Sequence, residues 1–439
     1  MGMFHQHVRR LAAVLGAALL AAACGGPGSA ASGVPYLDDA GFRRGELVAS
    51  LVNPQNEYSA LRLAHYATGD AADWDRLPEW NPPVDLVAAT ELDAPGGAPA
   101  SAMSAAAVPL TLPHDVTSED DPRLVALGEQ AFRRYPTQLE PFFAVALASR
   151  GAAARFGVWV DDAGGAGGLV RARMADGTGA LAVTCATCHA SPVGGTLVAG
   201  RPNALLDTGA AILDGGGALL GDAYATAVAQ WGPGRLDVTT PEGTEPVRIA
   251  DLRPVRWLGY LQADATVRQL DRTVLAIRLE TLIITAHHEA VRPPRVVTLA
   301  LAAYVASLAD ALPAMDAAAA TSPRGAQVFA TTCTSCHVPP ALTGDPVPLA
   351  VVGTDPALGK SAVRGTGTYR VPSLHGVGTR GPLLHDGTVP SLEAMFDPTR
   401  LTPAFTGKLH GTGAIEGHPF GLGLSDDDRS ALLAYLQAL

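Results

Sequence analysis

Two pentapeptides hold the residues best suited to chemistry, Cys185-Ala-Thr-Cys188-His189 and Cys333-Thr-Ser-Cys336-His337. Each sets two thiols three positions apart, so one helical turn presents both on one side with an imidazole directly after them. Such a pair can form thioethers to the two vinyl groups of a haem, and the His then supplies the proximal nitrogen to the iron. A structural zinc site would need four ligands closing a tetrahedron, and a redox dithiol has no use for the following His. The two motifs use four of the five cysteines. The pattern reads as two covalently bound haem c groups, attached at Cys185, Cys188, His189, Cys333, Cys336 and His337, with His189 and His337 on the irons.

The sixth ligand separates the two sites. After His189 the chain has no His until His287 and no Met until Met315. An iron left with an open position binds peroxide or oxygen, which makes the first haem the candidate reaction site. The competing reading is a distant ligand such as His114, His287 or His288. After His337 the supply is rich: His375, His385, Met395, His410 and His418. His418, in Gly417-His418-Pro419-Phe420-Gly421 just before the last helical stretch, ranks first, Met395 second and His410 third. Met395 also fits a plain core role in the apolar run Leu392 to Phe396.

An internal repeat positions these motifs. Gly128-Glu-Gln-Ala-Phe132 echoes Gly325-Ala-Gln-Val-Phe329, and Ala300-Leu-Ala-Ala-Tyr304 echoes Ala431-Leu-Leu-Ala-Tyr435. Helix, CxxCH turn, loops and closing helix occur twice, with Ser425-Asp-Asp-Asp428 as a capped start to the last helix. The expected fold is mainly α, with two cytochrome c-type haem domains joined by long loops, over 119–315 and 320–439. Phe132 and Cys185 lie 53 positions apart and Phe329 and Cys333 only four, so the first domain carries an insertion near 133–181. Its Gly-rich Asp161 to Gly168 reads as a surface turn.

Arg9 and Arg10, the apolar run Leu11 to Ala23 and the small residues before Cys24 read as an export signal over 1–23. Cys24 then becomes a lipidated first residue, or is incidental to ordinary cleavage. Residues 24–118, rich in Gly, Ala, Pro and Ser, read as a tether and variable segment, with a short helix between Tyr58 and Tyr66. The chain has 439 residues with 31 basic and 42 acidic side chains, a formal charge of −11. That balance excludes a general nucleic-acid role, and five cysteines are too few for a disulfide scaffold. The reading places the protein in the periplasm or on the outer membrane, touching membrane only through a lipid anchor.

Two CxxCH sites about 148 residues apart, followed by Tyr369-Arg-Val-Pro372-Ser-Leu and Gly381-Pro-Leu-Leu-His385-Asp-Gly387, resemble the bacterial di-haem cytochrome c peroxidase superfamily. Trp231-Gly-Pro-Gly-Arg235, Leu275-Ala-Ile-Arg278-Leu-Glu280 and Gly417-His418-Pro-Phe-Gly resemble its rubber-oxygenase-like branch. The resemblance implies a catalytic first haem, an electron-transfer second haem, His385 near a haem propionate and His418 as sixth ligand of the second iron. It also implies a Trp-Asp-Gly bridge between the haems. The counterpart here is Leu261-Gln-Ala263-Asp264, with Ala where Trp would stand, which leaves Trp231 or Trp257 as substitutes.

Peroxide cleavage benefits from a carboxylate that moves a proton between the two oxygens. Glu280 is the first candidate and Asp264 the second, with a buried ion pair to Arg278, Arg272 or Arg292 as the alternative for Glu280. Arg235, Arg253 and Arg256 are candidates for propionate contacts. The leading expectation is an exported di-haem oxidoreductase that reduces peroxide at the first haem with electrons relayed by the second. The donor would be a cytochrome or a cupredoxin. Oxygen-dependent cleavage of a hydrophobic, isoprenoid-like substrate and a non-catalytic electron carrier are the alternatives.

Overall fold

A computed structural model describes residues 33–237 and 243–439. The expected export signal and Cys24 lie outside the described residues. Among the described residues, 16 α-helices and a set of short strands make a mixed, helix-rich fold.

From Val34 onward the segment expected to be a tether is folded. Helices α1 (Ala40–Ser50) and α2 (Glu57–His65) are capped by Asp39 and Asn56, which accept from the N–H groups of Phe42 and Ser59. Tyr36, Tyr66 and Trp74 are buried in the same core as the central helices. Composition misleads here because a few large rings, each burying roughly 150–250 Å2, anchor a segment otherwise made of small residues.

Strand β1 (Val84–Ala88) leads through a loop to α3 (Pro122–Arg134). Strands β2 (Gln138–Leu139), β3 (Gly165–Arg173) and β4 (Gly179–Val183) then complete an antiparallel sheet of order β1-β3-β4-β2. Its register pairs Val84 with Ala172, Val170 with Ala182 and Gln138 with Val183. The insertion near 133–181 is thus most of a sheet, closed by a strand from the segment before it. Asp161 to Gly168 is a turn only in its first half. Asp161 Oδ1 accepts from Gly165 N–H at 2.8 Å, and β3 starts there.

Helix α4 (Cys185–His189) follows β4 almost directly. Then come α5 (Arg272–Ala286), α6 (Arg295–Ser307), α7 (Pro323–Thr332) and, last, α8 (Asp426–Ala438). On α3 the buried positions Leu124, Leu127, Gly128, Ala131 and Phe132 follow the helical stripe of a one-sided amphipathic element. Helix α6 is buried from Val297 to Val305 without interruption, so it is a core helix, which accounts for the apolar character of 295–321.

The sequence echo is a repeated helix crossing. A Cβ on Gly128 would lie 2.0 Å from the Ala300 carbonyl oxygen and 2.6 Å from Tyr304 Cβ. A Cβ on Gly325 would lie 2.1 Å from the Ala431 oxygen and 2.7 Å from Tyr435 Cβ. Only glycine lets α3 reach α6, or α7 reach α8, this closely. The aromatic pairs follow suit, with Phe132–Tyr304 ring centroids 5.4 Å apart and Phe329–Tyr435 5.3 Å apart. Ser425 caps α8 by accepting from Asp428 N–H, as its sequence suggests.

Candidate functional site

Both CxxCH motifs open onto one cavity of about 520 Å3, in whose lining Leu and Val are the commonest residues. Helix α4 is seated there by β3. Thr184 and Thr187 hydroxyls donate to the Gly168 carbonyl at 2.8 and 3.1 Å. Gly168, at φ +62°, leaves no room for a Cβ, which would fall 2.8 Å from Thr187 N. The second motif continues α7 as a further turn, with His337 N–H donating to the Cys333 carbonyl at 2.9 Å.

The two histidines are oriented alike. His189 Nδ1 lies 2.9 Å from the Ala250 oxygen and His337 Nδ1 lies 3.1 Å from the Leu342 oxygen. A carbonyl only accepts, so Nδ1 carries the proton and Nε2 keeps a free lone pair, the tautomer a metal needs. Burial holds both imidazoles below their ordinary pKa, and therefore neutral. Burial also pushes the thiols of Cys185 and Cys188 up to about 12 and that of Cys333 to about 11. An activated redox dithiol requires the opposite shift.

Facing the second motif, His418 lines the cavity from a loop locked in an unusual conformation, at φ +45°. Its N–H donates to the Val352 oxygen at 2.6 Å. Fully buried Arg400 donates to the carbonyls of Met395, Ile415, Gly417 and His418 at 2.7–2.9 Å. Burial first, and nearby His337 second, lower His418 to about 4, and its Nδ1 has no hydrogen-bond partner. Met395 also lines the cavity while belonging to the core around α7 and α8. His410 does not line it; its ring sits against Gly232, so the third-ranked ligand is corrected.

Among the described residues the lining around the first motif includes no further His or Met. The cavity's histidines are His189, His337, His385 and His418, and its methionine is Met395. His287 packs edge-on against Trp80 at 4.6 Å with Nε2 3.2 Å from the Pro136 oxygen, and His114 and His288 are exposed. None of the three distant candidates reaches the cavity.

The expected catalytic residues do not reach it either. On α5 the stripe Leu275, Arg278, Leu279, Leu282, Ile283 and Ala286 faces the cavity, and Glu280 falls off that stripe. Its Oε2 accepts from Tyr36 and Tyr66 hydroxyls at 2.9 and 2.6 Å, and Oε1 lies 3.2 Å from Arg295 Nε. Glu280 is thus a buried ion pair that fastens the N-terminal segment, with Arg295 as a partner that sequence reasoning missed. Asp264 sits behind the wall, accepting from Thr266 Oγ1 at 2.7 Å and lying 3.5 Å from Arg364. Burial raises its pKa. Trp231 is a packed aromatic whose indole donates to the Gly243 oxygen at 2.7 Å, away from the cavity. Trp257 stacks on His375 at 4.0 Å, one layer behind the lining.

The arginines are redistributed as well. Arg253 pairs with Asp251 and Arg256 with Asp310, and Arg235 does not line the cavity. Arg248, Arg278, Arg364, Arg370 and Arg380 do; Arg278 and Arg370 belong to the motifs Leu275-Ala-Ile-Arg278 and Tyr369-Arg-Val-Pro372, and no local sequence pattern marks the other three. Arg248 Nη1, Arg278 Nη1 and Arg364 Nη2 are buried without partners. Burial, reinforced by Arg380 and Arg370, lowers Arg248 to about 9, and burial lowers Arg370 to about 10. Asp251 is the one carboxylate in the lining among the described residues. His385 lines the cavity too, stacked on Tyr369 at 4.3 Å, with its Nδ1 unpartnered.

The chain matches no family model and no curated protein.

Proposed function

We propose that the protein is a di-haem c-type oxidoreductase whose first haem, at Cys185 and Cys188, is the reaction site and whose second haem relays electrons. The observation that carries this reading is the twin arrangement of histidines. Two CxxCH imidazoles with Nδ1 tied to a carbonyl and Nε2 free open onto one apolar cavity. The residues fit the group. Five arginines line the cavity, Arg364 and Arg380 buried and Arg248, Arg278 and Arg370 half-buried; Arg364 pairs with Asp264 and Arg380 with Asp251, and the carboxylates of two haems would balance the other three. Arg248, Arg278 and Arg364 have the unpartnered N–H groups to hold them. When bound, haem supplies one-electron redox chemistry and, at an open iron, activation of peroxide or oxygen.

The chain's own side chains do the rest. The four thiols would anchor the haems, His189 and His337 would ligate the irons, and His418, held by Arg400, would be the second ligand at the second site. The apolar stripe of α5 excludes water around the first. On this reading peroxide is reduced at the first haem, as the family resemblance implies. One observation favours the second reading, oxygen-dependent cleavage of an apolar substrate: Glu280 and Asp264 lie outside the lining, and the lining carboxylate Asp251 is engaged by Arg253 and Arg380.

A pyridine haemochrome spectrum tests the foundation and should give two haem c per chain. The reduced protein should bind CO at one haem. Two low-spin six-coordinate haems in both redox states, without a CO or cyanide adduct, would leave only an electron carrier. His418→Ala should turn the second haem high-spin, and an unchanged spectrum rejects that ligand. Peroxide turnover with a reduced donor cytochrome, set against oxygen uptake on an isoprenoid, separates the two reactions.

A further inference from the structure

A second cavity, of about 500 Å3, opens at the surface where the loop before α3 meets the start of α5 and the end of α6. It shares two side chains with the main cavity: Leu258 and Leu275 line both. Each is buried and belongs to the core against which Cys185 packs. The partition between the outer and inner space is therefore one side-chain layer thick, on the side of the first motif. We infer that the outer cavity is the access vestibule of the first site, with Leu258 and Leu275 as its gate, admitting a small uncharged molecule of the peroxide or dioxygen kind.

The chemistry of the rim sets that selectivity. Glu119, Asp120, Asp121, Asp271 and Asp310 stand against Arg256 and Arg272, five carboxylates to two guanidiniums. Arg256 is taken up by Asp310, while Arg272 reaches the Glu119 carbonyl and Asp120. The excess is negative, so an approaching anion is repelled and a neutral molecule is not. The inner part is apolar, with Val125 and Leu270 exposed at the mouth and the two leucines at the base. A neutral solute crosses such a layer when leucine side chains change rotamer, a faster event than any backbone opening.

This inference rests on the proposed open first haem, and its test keeps the two apart. Flash photolysis of the CO adduct of the reduced holoprotein measures bimolecular rebinding. Failure of the wild-type protein to form any adduct overturns the open-haem reading itself. Given an adduct, Leu258→Ala should speed rebinding about tenfold and Leu275→Phe should slow it by about as much, with unchanged spectra. Rebinding at the wild-type rate in both variants overturns the gate. Should Leu275→Phe fail to load haem, surface variants Asp120→Asn and Asp310→Asn carry the test with azide on the ferric protein. Wild-type azide association should rise with ionic strength while CO rebinding does not, and the neutralised rim should remove that rise. Azide association that is independent of salt and of both variants overturns the vestibule.

Discussion

The two CxxCH units share a scaffold and differ in what surrounds it. In both, a glycine lets one helix press on the next, an aromatic pair seals the crossing, and a carbonyl fixes the histidine tautomer. The second unit adds His418, delivered by a loop that Arg400 holds through four carbonyls. The first unit offers no counterpart among the described residues, and is instead wrapped by a sheet and by the segment carrying Tyr36 and Tyr66. A duplicated core thus tolerates divergence in the loops over the histidine. Those loops, more than the helices, decide which side chains face the histidine.

The sharpest way to break this contrast is Arg400→Gln. Hydrogen bonds to a charged donor contribute about 1.5–3 kcal/mol each, and the variant leaves buried carbonyls unsatisfied. The expected result is a loss of at least about 3 kcal/mol in denaturant unfolding and, on the proposed di-haem reading, loss of the second haem's low-spin signature with retention of the first haem's spectrum. Equal change at both haems would mean that the units do not hold their ligands independently.

What could be read from the sequence follows the same division. The CxxCH motifs and the Gly-Phe and Ala-Tyr echoes were legible because each is a local pattern with a fixed spacing. The sheet was not, since β1 pairs with β3 across some eighty residues and no local periodicity records it. For Glu280 helix phase favours the ion-pair alternative, with Arg295 as the partner. Glu280 neighbours Leu279 in sequence, but a step of about 100° turns it from the cavity toward Tyr36 and Arg295. Arg248, Arg364 and Arg380 stay invisible in the sequence as lining residues because they meet Arg278 and Arg370 only through tertiary packing. That His418 lines the cavity is legible because its glycine-flanked loop directly precedes the closing helix.

Glu140 sharpens the contrast from the first unit. It is buried beside the edge of β4, and burial raises its pKa to about 7. In the folded chain the carboxyl stays neutral up to that pH, while in the unfolded chain it ionises above 4.5. Stability is therefore lost as pH rises from 4.5 through 7, by about 3 kcal/mol in full. His287 acts with the opposite sign. Burial lowers it to about 4, so its contribution is complete above 6.5 and lost as pH falls toward 4. Glu140→Gln should raise stability at pH 8 by up to about 3 kcal/mol and change little at pH 5, in thermal unfolding at the two pH values. A gain at pH 5 alone would remove Glu140 as the source.

The smallest expected effect lies where the units touch. Trp257, between cavity-lining Val255 and Leu258, stacks on His375, between Leu374 and Val377 of the second unit, at 4.0 Å and 29°. An aromatic pair contributes about 0.5–1.5 kcal/mol beyond its buried area. Backbone bonds from Arg248 to His385 and from Arg370 to Ala263 tie the units independently of this stack. Trp257→Ala should therefore cost stability modestly, and its clearer sign should be in cooperativity, with one calorimetric transition broadening toward two. Trp257→Phe should restore most of the sharpness, because a phenyl ring still stacks. A variant that unfolds as a single sharp transition would show that the shared cavity wall and those backbone bonds, without the stack, couple the two halves.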